Sequence, residues 1–557
     1  MKEDKNFNVA HKLSLAAQRF PDKKALVFPK HRGNQLTYES ITFAELETRV
    51  NQLTSVFSKL VLRKGDHVLV MVPMSMDLYL VLSALLKMGL IAVFIDPWVG
   101  RKQIEMCCEL TQPRVFIGTA KAHLLRIFSS SIRRISVKIV TDRSSLFGAL
   151  SLPKLIARAS PESKTENVNS EDPALLTFTT GSTGLPKGAV RTHGFLLAQH
   201  EILTEYLGLT SDDVDLPALP IFVLNNLANG ITSVIPDANP RKPAEVDPAV
   251  IVKQIREFKV TTSAGSPALF ATLARYCLAR SIKLDTMRAL FTGGAPVRPE
   301  IVKGLKNVLP QGEVYVVYGS TEAEPISMIS AQAILDETIS LTQKGKGNCV
   351  GLPVKEIEVR IIKISEQPIA FNNWASLSQP TECIGEIIVT GAHVNKSYHK
   401  NPQAVRENKF IDDAGKVWHR TGDTGYFDTQ GRLWLVGRVK YRVIRDGVEY
   451  HPLQIEPIID DLNWVARSAL IGLRDARLGQ SLVLVIEPLK THFFQRALLQ
   501  NRWRKEILEL CQSKHIPVDK IYFCSQIPTD PRHQAKIEYT KLRNRYAWQQ
   551  ALVLLIV

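Results

Sequence analysis

The sequence predicts an α/β protein. Its large N-terminal domain has two parallel-sheet α/β regions and a small β region, and an α+β segment follows at the C terminus. Two observations carry this. Through the first half, apolar strand-like runs alternate with amphipathic stretches of helical spacing, the pattern of strands joined by crossover helices. Beyond residue 350, Val354 to Ile362 and Glu386 to Val389 alternate and suggest half-buried strands.

The elements follow in order. Val68 to Val72 reads as a strand, 76–88 as a helix, and Leu90 to Ile95 as a second strand ended by Asp96-Pro97. Val115 to Ile117 and Val137 to Val140 continue the series. A second α/β region runs from Ala174 to Val350, and Val354 to Ile362 and Glu386 to Val389 form the small β region.

Composition bounds the class. Hydrophobic residues make up 45% and charged residues 22% of 557, ordinary for a globular enzyme with large cores. No run reaches the roughly 18 apolar residues needed to cross a bilayer. Leu78 to Leu86 stops at Lys87 and reads as a buried helix. The first residues, Met1 to Lys5, lack an apolar signal core, and the apolar tail Ala551 to Val557 is too short to span. The seven cysteines are scattered, with no Cys-x-x-Cys pair. Free thiols in a reducing cytoplasm are therefore expected. The net charge is +16. The basic residues are dispersed and accompany no nucleic-acid module, so no nucleic acid is expected. Anionic substrates explain part of the bias, and contact with an anionic membrane surface stays open.

The most informative stretch is Thr179-Thr180-Gly181-Ser182-Thr183-Gly184-Leu185-Pro186-Lys187-Gly188, directly after the apolar run Ala174 to Phe178. Such a loop offers backbone N–H groups, hydroxyls and an ammonium to a polyphosphate. A Walker A loop needs Gly-Lys-Ser/Thr opening a helix; here the order is Lys187-Gly188-Ala189.

The loop resembles the phosphate-binding signature of the adenylate-forming superfamily, which comprises acyl-CoA synthetases, peptide-synthetase adenylation domains and luciferases. Further signatures follow in the family's order over nearly the whole chain. Phe291-Thr292-Gly293-Gly294-Ala295-Pro296 resembles the loop whose backbone passes close to adenine, an approach that glycine permits. In Val317-Tyr318-Gly319-Ser320-Thr321-Glu322 the resemblance implies that the Tyr318 ring stacks on adenine and that Glu322 holds Mg²⁺ against the phosphates. In Trp418-His419-Arg420-Thr421-Gly422-Asp423 it makes Asp423 the partner of the ribose hydroxyls, since a carboxylate accepts two bonds from a cis-diol. Arg438 becomes a ribose or phosphate contact beside a hinge at Lys440. The nucleotide set is thus Thr180, Gly181, Ser182, Thr183, Gly184, Lys187, Gly293, Gly294, Ala295, Pro296, Tyr318, Gly319, Ser320, Thr321, Asp423 and Arg438.

Near the end, Ile527-Pro528-Thr529-Asp530 through Ala535-Lys536-Ile537 matches the signature that brings one lysine into the site. An ammonium there removes the repulsion between a carboxylate and the α-phosphate it attacks. Lys536, Thr183, Lys187 and Glu322 are the implied catalytic residues, with Glu322 the metal ligand; the resemblance also implies a domain boundary near Gly437-Arg438-Val439-Lys440, with residues 438–557 a mobile lid on 1–437. The ending, Val214 to Pro217, Thr232 to Asp237 and Ala264 to Ala268 resemble one branch, the β-lactone synthetases of bacterial olefin biosynthesis. Val223 replaces a histidine common in acyl-CoA synthetases, and Ile444 stands where a lysine is frequent. The implied activity is ATP- and Mg²⁺-dependent conversion of a fatty or fatty-derived carboxylic acid to acyl-AMP with release of pyrophosphate. Two second steps stay open: transfer to coenzyme A or an acyl carrier protein, or closure of a β-lactone. An acyl- or nucleotide-binding protein without chemistry is the rival reading, and a basic nucleic-acid-binding protein a more remote one. Leu216 to Ile235 is expected to be either acyl-pocket wall or ordinary core.

Overall fold

The computed structural model describes residues 6–556 other than 34, 97–98, 143–147, 163, 180–184, 240–241, 490–495 and 531–535. Its architecture is mixed α/β, with three sheets of 7, 14 and 5 strands.

The 7-stranded sheet contains the strands expected in the first half. His67–Met71 lies between Ile91–Ile95 and Val115–Gly118, all parallel, and Val137–Val140 extends the same side. Met76–Lys87 is the expected helix. Ser75 caps it by accepting from the Leu78 amide at 3.4 Å, and every residue from Leu78 to Lys87 is buried. Pro173–Thr179 joins Ile91–Ile95 in parallel, and the chain then reverses, so that Lys187–Thr192 pairs with it antiparallel and Thr179 faces Lys187. The residues between them, 180–184, lie outside the described set.

The second α/β region and the small β region are not separate sheets. Val214–Pro217, Thr232–Val234, Thr262–Gly265, Ala289–Gly293 and Glu313–Ser320 are parallel. Ala323–Ser330 then turns back and pairs with Asn348–Pro353, which continues through Leu433–Arg438, Val417–Phe427 and Gly385–Gly391 to Ile357–Ile362. One 14-stranded surface thus runs through both. Its far edge is a hairpin of Lys24–Arg32 and Gln35–Thr42, joined in parallel to Thr232–Val234. The helix after the hairpin, Phe43–Lys59, starts with a capping box between Thr42 and Glu45, a device worth about 1 kcal/mol.

After Arg438 the chain builds the 5-stranded sheet from Val443–Arg445, Val448–Tyr450, Val465–Asp475, Gly479–Pro488 and Lys520–Phe523. Its core includes Trp464 stacked on Trp503 at 4.6 Å between ring centres. It touches the rest of the molecule through Arg298 Nη1 donating to the Ala466 carbonyl at 2.8 Å and through Gln343 bonded to Asp461. Among the described residues no helix is long and apolar enough to cross a membrane.

Candidate active site

A cavity of about 2450 Å³ opens where the parallel strands of both large sheets end. Met71, Ile95, Gly265, Gly293 and Ser320 line it, each at the C-terminal end of its strand, the usual place for ligands in open α/β sheets.

Lys187, Gly293, Gly294, Gly319, Ser320, Thr321, Glu322, Asp423, Arg438 and Lys536 all line this cavity. The structure thus gathers side chains from five expected motifs. Thr180, Gly181, Ser182, Thr183 and Gly184 fall outside the described residues. Ala295, Pro296 and Tyr318 are not among the lining residues.

Tyr318, expected to stack on adenine, is buried beside the cavity. Along Glu313–Ser320, Val314, Val316 and Tyr318 are buried on one face, while Val317 and Gly319 alternate onto the face that meets the cavity. Tyr318 belongs to a buried cluster that includes Ile202, Val354 and Leu433. Its hydroxyl donates to Asp423 Oδ2 at 2.9 Å, and burial together with that carboxylate pushes the phenol pKa well up. Tyr318 therefore orients Asp423 from behind.

Asp423 and Arg438 face each other across paired strands. Arg438 Nε lies 2.8 Å from Asp423 Oδ1, and its Nη2 donates to the Thr421 carbonyl at 2.9 Å. The Asp423 carboxylate holds the Arg438 guanidinium above its ordinary pKa. The glycines also have causes in the fold. A Cβ on Gly293 would stand 2.3 Å from the Val317 carbonyl oxygen, and Gly294 has φ +81°.

Glu322 is held by residues the sequence reading missed. The Tyr398 hydroxyl donates to Glu322 Oε1 at 3.0 Å, and the Asn395 amide donates to the Glu322 carbonyl at 2.6 Å. Buried beneath them, Lys409 donates to the Asn395 carbonyl and lies 5.0 Å from the Tyr398 ring centre. Burial lowers the Lys409 pKa to about 7, against the pull of Glu322. His419 pairs with Lys409 across adjacent strands and lines the cavity. Burial and the Lys409 charge push its pKa well below 6.5, leaving a neutral imidazole. Arg191, also buried, donates to the Thr321 carbonyl at 2.9 Å on the other side. Burial lowers its pKa, with Glu324 and Glu322 opposing. Lys409 and Arg191 have no sequence signal beyond their residue type, because lysine and arginine are normally exposed.

Lys536 reaches the cavity from the C-terminal segment. The Asp530 amide donates to the Lys536 carbonyl at 2.8 Å. The residue is exposed, yet packing around the amine lowers its pKa, with Arg438 adding to the effect and Asp423 and Asp530 opposing it.

The apolar end of the cavity includes Leu219, Ile221, Phe222, Leu224 and Ile235. Val223 and Leu227, on the same helix as Phe222, are core. Parts of Leu216 to Ile235 thus line the cavity, while Phe222, Val223, Leu227 and Ile235 are buried in core clusters. Mg²⁺ fits the donor set at Glu322: Tyr398 engages one oxygen, a carboxylate has further lone pairs, and hard oxygen donors with one or two carboxylates suit this ion. No cluster of His, Cys, Asp and Glu among the described residues would hold a metal without help from a ligand.

Residues 13–399 match the model of the AMP-binding enzyme family. The olefin beta-lactone synthetase of Stenotrophomonas maltophilia is 34% identical over 548 residues, covering 96% of this chain and 97% of that one. The mitochondrial medium-chain acyl-CoA ligase of Bos taurus is 25% identical, covering 97% and 88%. The fold resembles that of ATP-bound MatB from Rhodopseudomonas palustris, with a TM-score of 0.77 at 20% identity over 98% of this chain and 99% of that one.

Proposed function

Because the chain belongs to the AMP-binding enzyme family, we propose that it activates a fatty or fatty-derived β-hydroxy acid as acyl-AMP and then closes a β-lactone. A carboxylate oxygen attacks the α-phosphorus of ATP, and the bond to the bridging oxygen of pyrophosphate breaks. The β-hydroxyl oxygen then attacks the acyl carbon, AMP leaves, and the hydroxyl proton is released.

The observation that supports this reading most is that Lys536, Asp423, Arg438 and Glu322 all line one cavity. Lys536 would place its ammonium between the two anions as they meet. Lys187 and Thr183 would hold phosphate oxygens. Asp423, fixed by Tyr318 and Arg438, would accept the ribose hydroxyls. Glu322 would hold Mg²⁺, which when bound neutralises phosphate charge. Residues 438–557 would act as a lid over 1–437, bringing Lys536 in for the first step. The apolar wall around Leu219 and Phe222 would take the alkyl chain and exclude water from the acyl phosphate.

Lactone closure as the second step is supported by the 34% identity to an olefin beta-lactone synthetase and by Val223 and Ile444 in place of residues common in thioester-forming enzymes. A tethered hydroxyl has little translational entropy left to lose, which offsets ring strain. The test is mass spectrometry of products from ATP, Mg²⁺ and a β-hydroxy fatty acid without coenzyme A. The expected products are AMP, pyrophosphate and a β-lactone. Turnover that waits for coenzyme A or a carrier thiol and yields only thioester would overturn the second step and leave the first.

A further inference from the structure

Residues 111–141 carry Arg114, Lys121, Arg126, Arg133, Arg134 and Lys138 and no Asp or Glu. They fold as the strand Val115–Gly118 followed by short helical turns at the end of the 7-stranded sheet. On the outer side, Leu124, Ile127 and Phe128 are 45%, 56% and 59% exposed. Three large apolar side chains within five positions are exposed on a stretch of fourteen residues that also exposes Lys121, Arg133 and Arg134, which concentrates apolar and basic surface in one short segment. The inner side of the same segment lines the large cavity through Lys121, Ala122, Leu125, Phe128 and Ile132. Phe128 belongs to both sides, so the patch is the cavity's rim. The nearest acidic group along the chain, Asp142, accepts from the Ala120 amide.

We propose that this rim is a docking surface for an anionic lipid bilayer. Leucine, isoleucine and phenylalanine enter the headgroup–acyl boundary of a bilayer, and arginines beside them meet its negative surface. That pairing of chemistries at one rim favours a lipid surface over a protein partner. The docking stands on the patch alone. Its use as an entrance rests on the fatty-acid reading above: an alkyl chain would then pass from the bilayer into the cavity beside Phe128 and Leu125 without crossing water.

The experiment is co-sedimentation of the full chain with vesicles of phosphatidylcholine alone or mixed with phosphatidylglycerol. The expected result is binding to the anionic vesicles that weakens with salt. Arg133→Glu/Arg134→Glu and, separately, Leu124→Ser/Ile127→Ser should each reduce it roughly tenfold or more. Both variants should keep pyrophosphate exchange on a short water-soluble acid, which shows that they are folded. Absence of vesicle binding, or equal binding by the variants, overturns the proposal. So does a wild-type dimer in sedimentation velocity that the variants lose while vesicle binding persists, because the patch would then be a protein contact. Long-chain acid supplied in detergent and in vesicles separates the two readings. No exchange from either source, with vesicle binding intact, defeats the fatty-acid reading and leaves the docking surface standing.

Discussion

The Tyr398 hydroxyl donates to Glu322 Oε1 at 3.0 Å across 76 residues of sequence. Lys409 lies below the Tyr398 ring and holds the Asn395 carbonyl, while the Asn395 amide holds the Glu322 carbonyl. The carboxylate expected to meet a cation is thus fixed at its side chain and its backbone by one buried cluster.

Tyr398→Phe removes the hydroxyl and keeps the ring. A hydrogen bond to a charged group is worth about 1.5–3 kcal/mol, so the Mg²⁺ concentration at half-maximal exchange should rise roughly tenfold or more. Glu322→Gln should shift the same titration further. An unchanged Mg²⁺ curve in both variants would remove Glu322 as the ligand.

Asp423→Asn should weaken ATP binding and leave acid binding nearly untouched. It removes one charge from the pair with Arg438 and one acceptor from the Tyr318 hydroxyl. A loss of about tenfold in ATP affinity, on the scale of one charged hydrogen bond, is expected in a calorimetric titration. Equal loss for ATP and acid would mean that Asp423 is only structural.

Glu456, buried in the C-terminal segment, has its pKa raised to about 8 by burial, with the Asp460 charge adding and the Leu470 amide, the Tyr539 hydroxyl and Arg467 opposing. Both Glu456 oxygens lie within 2.9 Å of the Tyr539 hydroxyl. The folded group keeps a proton that the unfolded group releases near pH 4.5. Folded chain therefore binds more protons between those values, and stability falls as pH rises from about 4.5 to 8. Glu456→Gln should flatten that fall, gaining up to about 5 kcal/mol over wild type at pH 8. Urea titrations read by the stacked Trp464 and Trp503 fluorescence would follow it; parallel pH profiles for the two proteins would contradict the argument.

What could be read from the sequence was what lies contiguous along the chain. Lys187, Glu322, Asp423 and Lys536 sit in motifs and line the cavity together. The helix 76–88 was legible because its apolar residues have nowhere to go but a core. Lys409, Asn395 and Arg191 were not legible, because their roles arise from strands brought together by the fold. The edge hairpin Lys24–Arg32 with Gln35–Thr42 was also missed: most of its strand residues beyond Phe28 are not fully buried, so it lacks a strong apolar run. Tyr318 is a different case. Its side of the strand follows from period-two alternation with Val314 and Val316, and its bond to Asp423 arises from a strand 105 residues away.

The central claim is that an acid is activated through Lys536. Acid-dependent exchange of labelled pyrophosphate into ATP measures that step alone. With Lys536→Ala, exchange should fall roughly 10²–10³-fold, the scale of losing one preorganised electrostatic stabiliser, while ATP binding persists. Near-normal exchange by a folded Lys536→Ala enzyme would contradict the account.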